Sequence, residues 1–327
     1  MNRRRFLVTS LTGALAAPRT ARAQGERKLP RIGVLYMNRP VSPSGLPPSF
    51  WERMSELGWV DGQTLRVELR GAAGDPKRLR ILAAELIDAK VDVIAMDNGT
   101  AAKALQERTA PTPICVAGAD LQVAGVVKNI ARPEGNITGV QVVQAELAGK
   151  RLSLLKEMIP GVTRVGVLLG ARTVPVNASL LRAADEAARA LGLEVHVMEL
   201  LVDDDVDRAF LTLSKLGAHA VLVVNNPVLT TQVDRVQALA TKARLAAMYE
   251  YRSWAAAGGL VSYGPSSAEI FRQLADCVDK ILRGARPSDI PVQQPTKFEL
   301  VINMKTAKTL GLTIPPPVLL RADHLIE

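Results

Sequence analysis

The 327-residue chain carries 41 Lys and Arg against 32 Asp and Glu, a formal charge of +9, and is 48% hydrophobic with 4% aromatic residues. Five of its arginines (Arg3, Arg4, Arg5, Arg19 and Arg22) fall in the first 23 residues with no acid beside them; the remaining 36 basic and 32 acidic residues leave +4 with no basic stripe, which excludes nucleic acid as a partner. The length exceeds what one compact domain usually holds, so two lobes are expected.

In chain order, the arginine cluster opens an uncharged run from Phe6 to Ala17 that closes on the small-x-small exit Ala21-Arg22-Ala23. That pattern reads as an export signal over 1–23, and Arg-Arg-x-Phe-Leu resembles the twin-arginine variety. About a dozen apolar residues cannot cross a bilayer core of roughly 30 Å. The mature chain is expected to begin at Gln24, with no Cys behind the cut to carry a lipid, as a freely soluble periplasmic protein.

From Arg31 onward short β-branched runs alternate with amphipathic helices. Strands are expected at 32–36, 65–69, 91–96 and 113–117, with helices through Phe50–Met54, over 76–89 and over 99–108. The stretch 39–48 reads as a long Pro-rich loop. After the turn-rich 133–139 the alternation restarts, with helices over 146–158, 179–191, 206–216 and near 230–243. Strands follow at 164–169, 193–198, 220–224, 245–249 and 259–263. Nearly all-apolar strands separated by helices require a parallel sheet covered on both faces. The fold class is therefore α/β, two doubly wound parallel-sheet lobes. The first lobe is assigned to 30–142 and the second to 143–265. The tail has a helix over 267–282, a strand at 298–302 and a helix from Asn303. Part of 266–300 is expected to return to the first lobe and part of 301–327 to the second, so that several segments cross and form a hinge.

Ligands of open parallel sheets bind beyond the carboxyl ends of the strands, where strand order reverses. That rule selects Tyr36 and Asn38, then Asn98, Gly99 and Thr100, then Asp120 in the first lobe. In the second it selects Thr173, Asn225, Asn226, Glu250 and Tyr251, with Tyr263 near a crossover. Asn98 is a good helix cap and Gly99 admits close backbone approach, so amides there suit a carboxylate or phosphate. Asp120 and Glu250 are candidate partners for an ammonium group. Tyr36, Tyr251 and Tyr263 are candidate stacking surfaces in a chain with only four Tyr and three Trp.

Catalytic and metal motifs are missing: there is no Gly-x-Gly-x-x-Gly loop and no Gly-x-Ser-x-Gly elbow, and the three histidines, His196, His219 and His324, are scattered. The run Asp203-Asp204-Asp205-Val206-Asp207 lacks the Gly and Glu of a calcium loop and reads as an acidic helix start. No cofactor and no metal are expected. Cys115 and Cys277 read as buried thiols 162 positions apart, and whether they bridge is open at this level.

Several segments together resemble the ABC transporter substrate-binding family of the tryptophan- and tyrosine-binding type. They are Glu56-Leu57-Gly58-Trp59-Val60-Asp61-Gly62-Gln63, Ala131-Arg132-Pro133-Glu134-Gly135-Asn136-Ile137-Thr138-Gly139, Gly258-Gly259-Leu260-Val261-Ser262-Tyr263-Gly264-Pro265, Gln294 to Asn303, and the ending Arg321 to Glu327. The resemblance runs from about Arg31 to the C-terminus. It implies a type I periplasmic-binding-protein-like fold with three crossovers, a monomer that hands a small solute to permease and ATPase subunits, and no enzymatic activity. The chain departs from the family pattern at Asn98-Gly99-Thr100-Ala101, where a Ser- or Thr-led Gly-Thr-Pro-Ala is usual, and at Ala119-Asp120, where Gly-Asp is usual. A periplasmic sensor that presents its ligand to a membrane receptor is the alternative reading.

Overall fold

The computed structural model describes residues 29–36, 45–73, 75–109 and 111–327; the export signal read over 1–23 and the candidate ligand residue Asn38 lie outside them. Strands β1 (Arg31–Tyr36), β2 (Arg66–Gly71), β3 (Val93–Met96), β4 (Ile114–Ala119) and β5 (Ile137–Val142) form a wholly parallel sheet in the order β2-β1-β3-β4-β5. Helix α1 (Pro48–Glu56) covers one face with Phe50 and Met54; α2 (Pro76–Asp88) and α3 (Gly99–Thr109) cover the other with Leu79, Leu86, Ala102 and Leu105. With helices on both faces, β1 and β3 are buried along almost their whole length, which is why they read as continuous apolar runs.

The second sheet is fed by α4 (Gln144–Met158), β6 (Arg164–Leu169), α5 (Pro175–Leu191), β7 (Glu194–Glu199), α6 (Asp205–Lys215), β8 (Ala220–Val223), α7 (Pro227–Thr230), α8 (Val233–Lys242), β9 (Ala246–Tyr249), α9 (Arg252–Ala256) and β10 (Val261–Pro265). The chain then runs through α10 (Ser267–Leu282), β11 (Phe298–Asn303), α11 (Met304–Leu310), α12 (Pro316–Leu319) and β12 (His324–Ile326). The order is β12-β11-β10-β9-β8-β6-β7, parallel except where β11 runs against β10. Helices α4 and α5 pack on one face and α6 and α8 on the other.

Helix α10 follows the second sheet's β10 yet packs on the first sheet. Its Ile270, Leu274, Cys277 and Ile281 recur at helical spacing, and this apolar stripe lies against α1 and the β3 to β5 face. The chain therefore crosses between the sheets after β5, after β10 and before β11, and the crossings are laced together. Gln293 N–H donates to Gly139 O and Gln293 O accepts from Gln141 N, both at 2.8 Å. Glu269, in the first turn of α10, accepts from Thr296 N, Thr296 Oγ1 and Lys297 N.

Three local expectations are corrected. The helix read near 230–243 is two helices, because Asn226 caps a separate turn at Leu229 N with Pro227 at its first position, and α8 restarts at Val233. Helix α5 begins four residues before Ser179 because Pro175 presets the helical φ. The short elements α9 and β12 were not anticipated; β12 pairs in parallel with β11.

Candidate functional site

Strand order reverses between β1 and β3 in the first sheet and between β6 and β8 in the second. Connections leaving such strands diverge to opposite faces and open a crevice at the carboxyl ends. The two crevices share one cleft of about 730 Å³, a size typical of small-molecule sites. The first lobe lines it with Asp97, Asn98, Gly99 and the end of β4; the second with Gly170, Asn225, Asn226, Glu250, Tyr251 and Trp254; α10 adds Ile270 and Phe271.

The first-lobe wall is a helix start. Asn98 Oδ1 accepts from Ala101 N at 2.8 Å, capping α3, with Gly99 and Thr100 as its first two residues. This start sits directly against the end of β4: a Cβ on Gly118 would lie 2.8 Å from Gly99 N, so only glycine permits the approach. The helix dipole and the first-turn amides make this corner favourable to negative charge. Asp97, half-buried beside it on the same wall, supplies the opposite sign.

The second-lobe wall is built on a buried ion pair. Glu250, 3% exposed, accepts from Arg151 Nη1 at 3.2 Å and from Asn225 N at 3.0 Å. Arg151, on α4 and fully buried, also donates to Gln144 Oε1 at 2.9 Å and to Tyr263 O at 2.8 Å, while its Nη2 has no hydrogen-bond partner. Burial pushes the Glu250 carboxyl up and the Arg151 guanidinium down, and the attraction between them opposes both shifts. Two N–H donors on Glu250 favour its carboxylate form, so the pair stands ionised and internally neutral. Gly264 is required here: a Cβ would fall 1.9 Å from Glu250 O.

Aromatic side chains complete the second wall. Trp254 lines the cleft and stacks on Tyr249 at 5.1 Å with 19° between planes. Tyr251 packs against cores of both lobes, and burial, then the charge of Glu250, raises its hydroxyl above the ordinary range.

The candidate residues divide accordingly. Asn98, Gly99, Asn225, Asn226, Glu250 and Tyr251 share the cleft. Glu250, read as a candidate partner for an ammonium, lines the cleft with its two oxygens already accepting from Arg151 Nη1 and Asn225 N. Asp120 is corrected: it stands 7% exposed at φ 30°, its Oδ1 taking Val123 N, and forms the turn after β4 rather than lining the cleft. Tyr36 is buried in the first-lobe core with Phe50 and Met54. Thr173 is exposed in the turn before α5 and is not among the described lining residues. Tyr263 stacks on Phe298 and joins cores of both lobes, a hinge position. The residue reading missed Asp97, Gln144 and Arg151. Asp97 directly precedes the Asn-Gly corner and was legible; an arginine in mid-helix reads as an exposed charge, and nothing local marks Arg151 as buried.

None of the three histidines is among the described cleft-lining residues; His219 Nδ1 accepts from the backbone of Thr163 and Arg164 instead. The acidic run at 203–207 begins α6, where Asp205 takes the amides of Val202 and Leu201 and its carboxyl is held below the usual range by them.

A cleft between two α/β lobes laced by crossing segments defines a fold of the type I periplasmic-binding-protein kind. The chain belongs to the ABC transporter substrate binding protein family, whose model matches residues 49–326. It is 23% identical over 289 residues to the tyrosine-binding protein of Clostridioides difficile, covering 88% of this chain and 82% of that one. Among solved structures, the ABC domain in complex with L-Trp from Streptococcus pneumonia superposes with a TM-score of 0.83 at 23% identity, covering 91% of this chain and all of that one. A conserved domain protein from Vibrio cholerae gives 0.82 at 24% over the same shares.

Proposed function

We propose that this chain is the exported, ligand-capturing component of an ABC importer, closing its two lobes on an amino-acid-like solute with an aromatic or apolar side chain. The observation that carries this reading is the polarity of the cleft. A capped helix start faces inward beside Asp97, which matches a carboxylate and an ammonium on neighbouring atoms. Trp254, Ile270 and Phe271 offer an apolar compartment for the side chain. Relatives described as tyrosine-binding or complexed with L-Trp support the same class. The protein works as a monomer in the periplasm after cleavage near Gln24 and delivers its ligand to permease and ATPase subunits.

The test is calorimetry of the mature chain against L-Trp, L-Tyr and their deaminated analogues. Saturable binding of an amino acid, weakened when its amine is removed, is expected; no binding to any amino acid overturns the ligand class. Closure is read by small-angle scattering, where the radius of gyration falls on saturation, with Trp254 as an internal fluorescence reporter.

A further inference from the structure

The sequence contains two cysteines, and the fold brings them together. Cys115 on β4 and Cys277 on α10 are 0% and 1% exposed, with their sulfurs 2.7 Å apart. Both stand as free thiols in the structure, with their sulfurs in direct contact. The contact is built by two periodicities. Cys115 and Ala117 point to the same face of the first sheet, and Cys277 belongs to the apolar stripe of α10 that lies on it.

We propose that Cys115 and Cys277 form an intrachain disulfide when the chain folds in an oxidising compartment, a statement that rests on the exported reading above for its setting in the cell. In forming it, two S–H bonds break and one S–S bond forms. Two protons leave, and two electrons pass by thiol–disulfide exchange to a disulfide oxidant, which is reduced to two thiols. Burial raises the Cys115 thiol well above its usual range, so folded chain offers little thiolate to the oxidant. Both ends lie in the first-lobe core, so the bond fastens the returning helix to its sheet without spanning the cleft and leaves closure free. It also encloses β6 to β10 in the covalent loop, constraining the unfolded chain over 162 positions.

The experiment refolds the denatured mature chain in a glutathione and glutathione-disulfide mixture, alkylates remaining thiols under denaturing conditions and maps peptides by mass spectrometry. The expected result is no alkylated cysteine and one cross-linked pair joining Cys115 to Cys277, lighter by two hydrogens. Thermal melting in dithiothreitol should fall by roughly 5 °C or more, while a Cys115→Ala, Cys277→Ala double variant melts alike with and without reductant. Two alkylated or glutathione-capped thiols after refolding would overturn the bridge. A chain that bridges on refolding but is found reduced in the cytoplasm contradicts the export reading and not the bridge.

Discussion

The two walls of the cleft use charge in different ways. On the second-lobe wall, Glu250 is held by Arg151 and Asn225 N, and Arg151 in turn holds Gln144 and Tyr263, so the charges cancel inside the protein. On the first-lobe wall, Asp97 and the start of α3 bring a carboxylate and a helix dipole to the cleft surface. An acid at a strand end is therefore no sufficient sign of a ligand contact. Glu250 satisfies every sequence criterion Asp97 does, but α4 has placed a buried guanidinium behind it. Gln144 follows the first crossing and Tyr263 precedes the second, so the Arg151 network ties together the two segments that flank the crossings.

The largest effect expected from this contrast is on stability. Arg151→Met strands the buried Glu250 carboxylate and should cost about 3–5 kcal/mol by chemical denaturation, because removing one partner leaves an uncompensated charge. Adding Glu250→Gln should restore most of that loss; if the double variant is no better than the single, the pair is not what Arg151 serves. Asp97→Asn should act on binding, weakening amino-acid affinity by about 1.5–3 kcal/mol in calorimetry. Asn98→Ala removes the cap of α3 and should cost about 1 kcal/mol of stability, with a loss of affinity as the helix start frays.

The smallest effect lies away from the cleft, in the ion pairs between α1 and α10. The Glu56 carboxyl is held down to about 2 by Arg272 and then Arg53, from a usual 4.5. In the folded chain it stays ionised to lower pH than in the unfolded one. Its contribution is thus present above pH 4.5 and fades as pH falls towards about 2. Glu56→Gln should flatten that part of the stability profile, modestly because the group is exposed.

Most of the architecture was legible because a buried parallel strand leaves a dense apolar signature, and because turn residues separate the strands from amphipathic helices. The cleft followed from the switch-point rule, which placed Asn98, Gly99, Asn225, Asn226, Glu250 and Tyr251 in one site without any contact information. What escaped depends on tertiary pairing. Strand β12 is three residues paired with β11. Arg151 is a charge buried by residues up to 112 positions away. Cys115 and Cys277 meet only because α10 returns to the first sheet. Tyr36 misled because a tyrosine at a strand end serves a core edge as well as it serves a ligand.

The central claim is that the first-lobe wall reads the ligand's amine and the second-lobe pair does not. Calorimetry of the preferred amino acid and its deaminated analogue tests it directly, on wild type, on Asp97→Asn and on the charge-neutral Arg151→Met, Glu250→Gln double variant. The account predicts that Asp97→Asn abolishes the preference for the amine and the double variant keeps it. Loss of the preference in the double variant, with its retention in Asp97→Asn, would contradict the account.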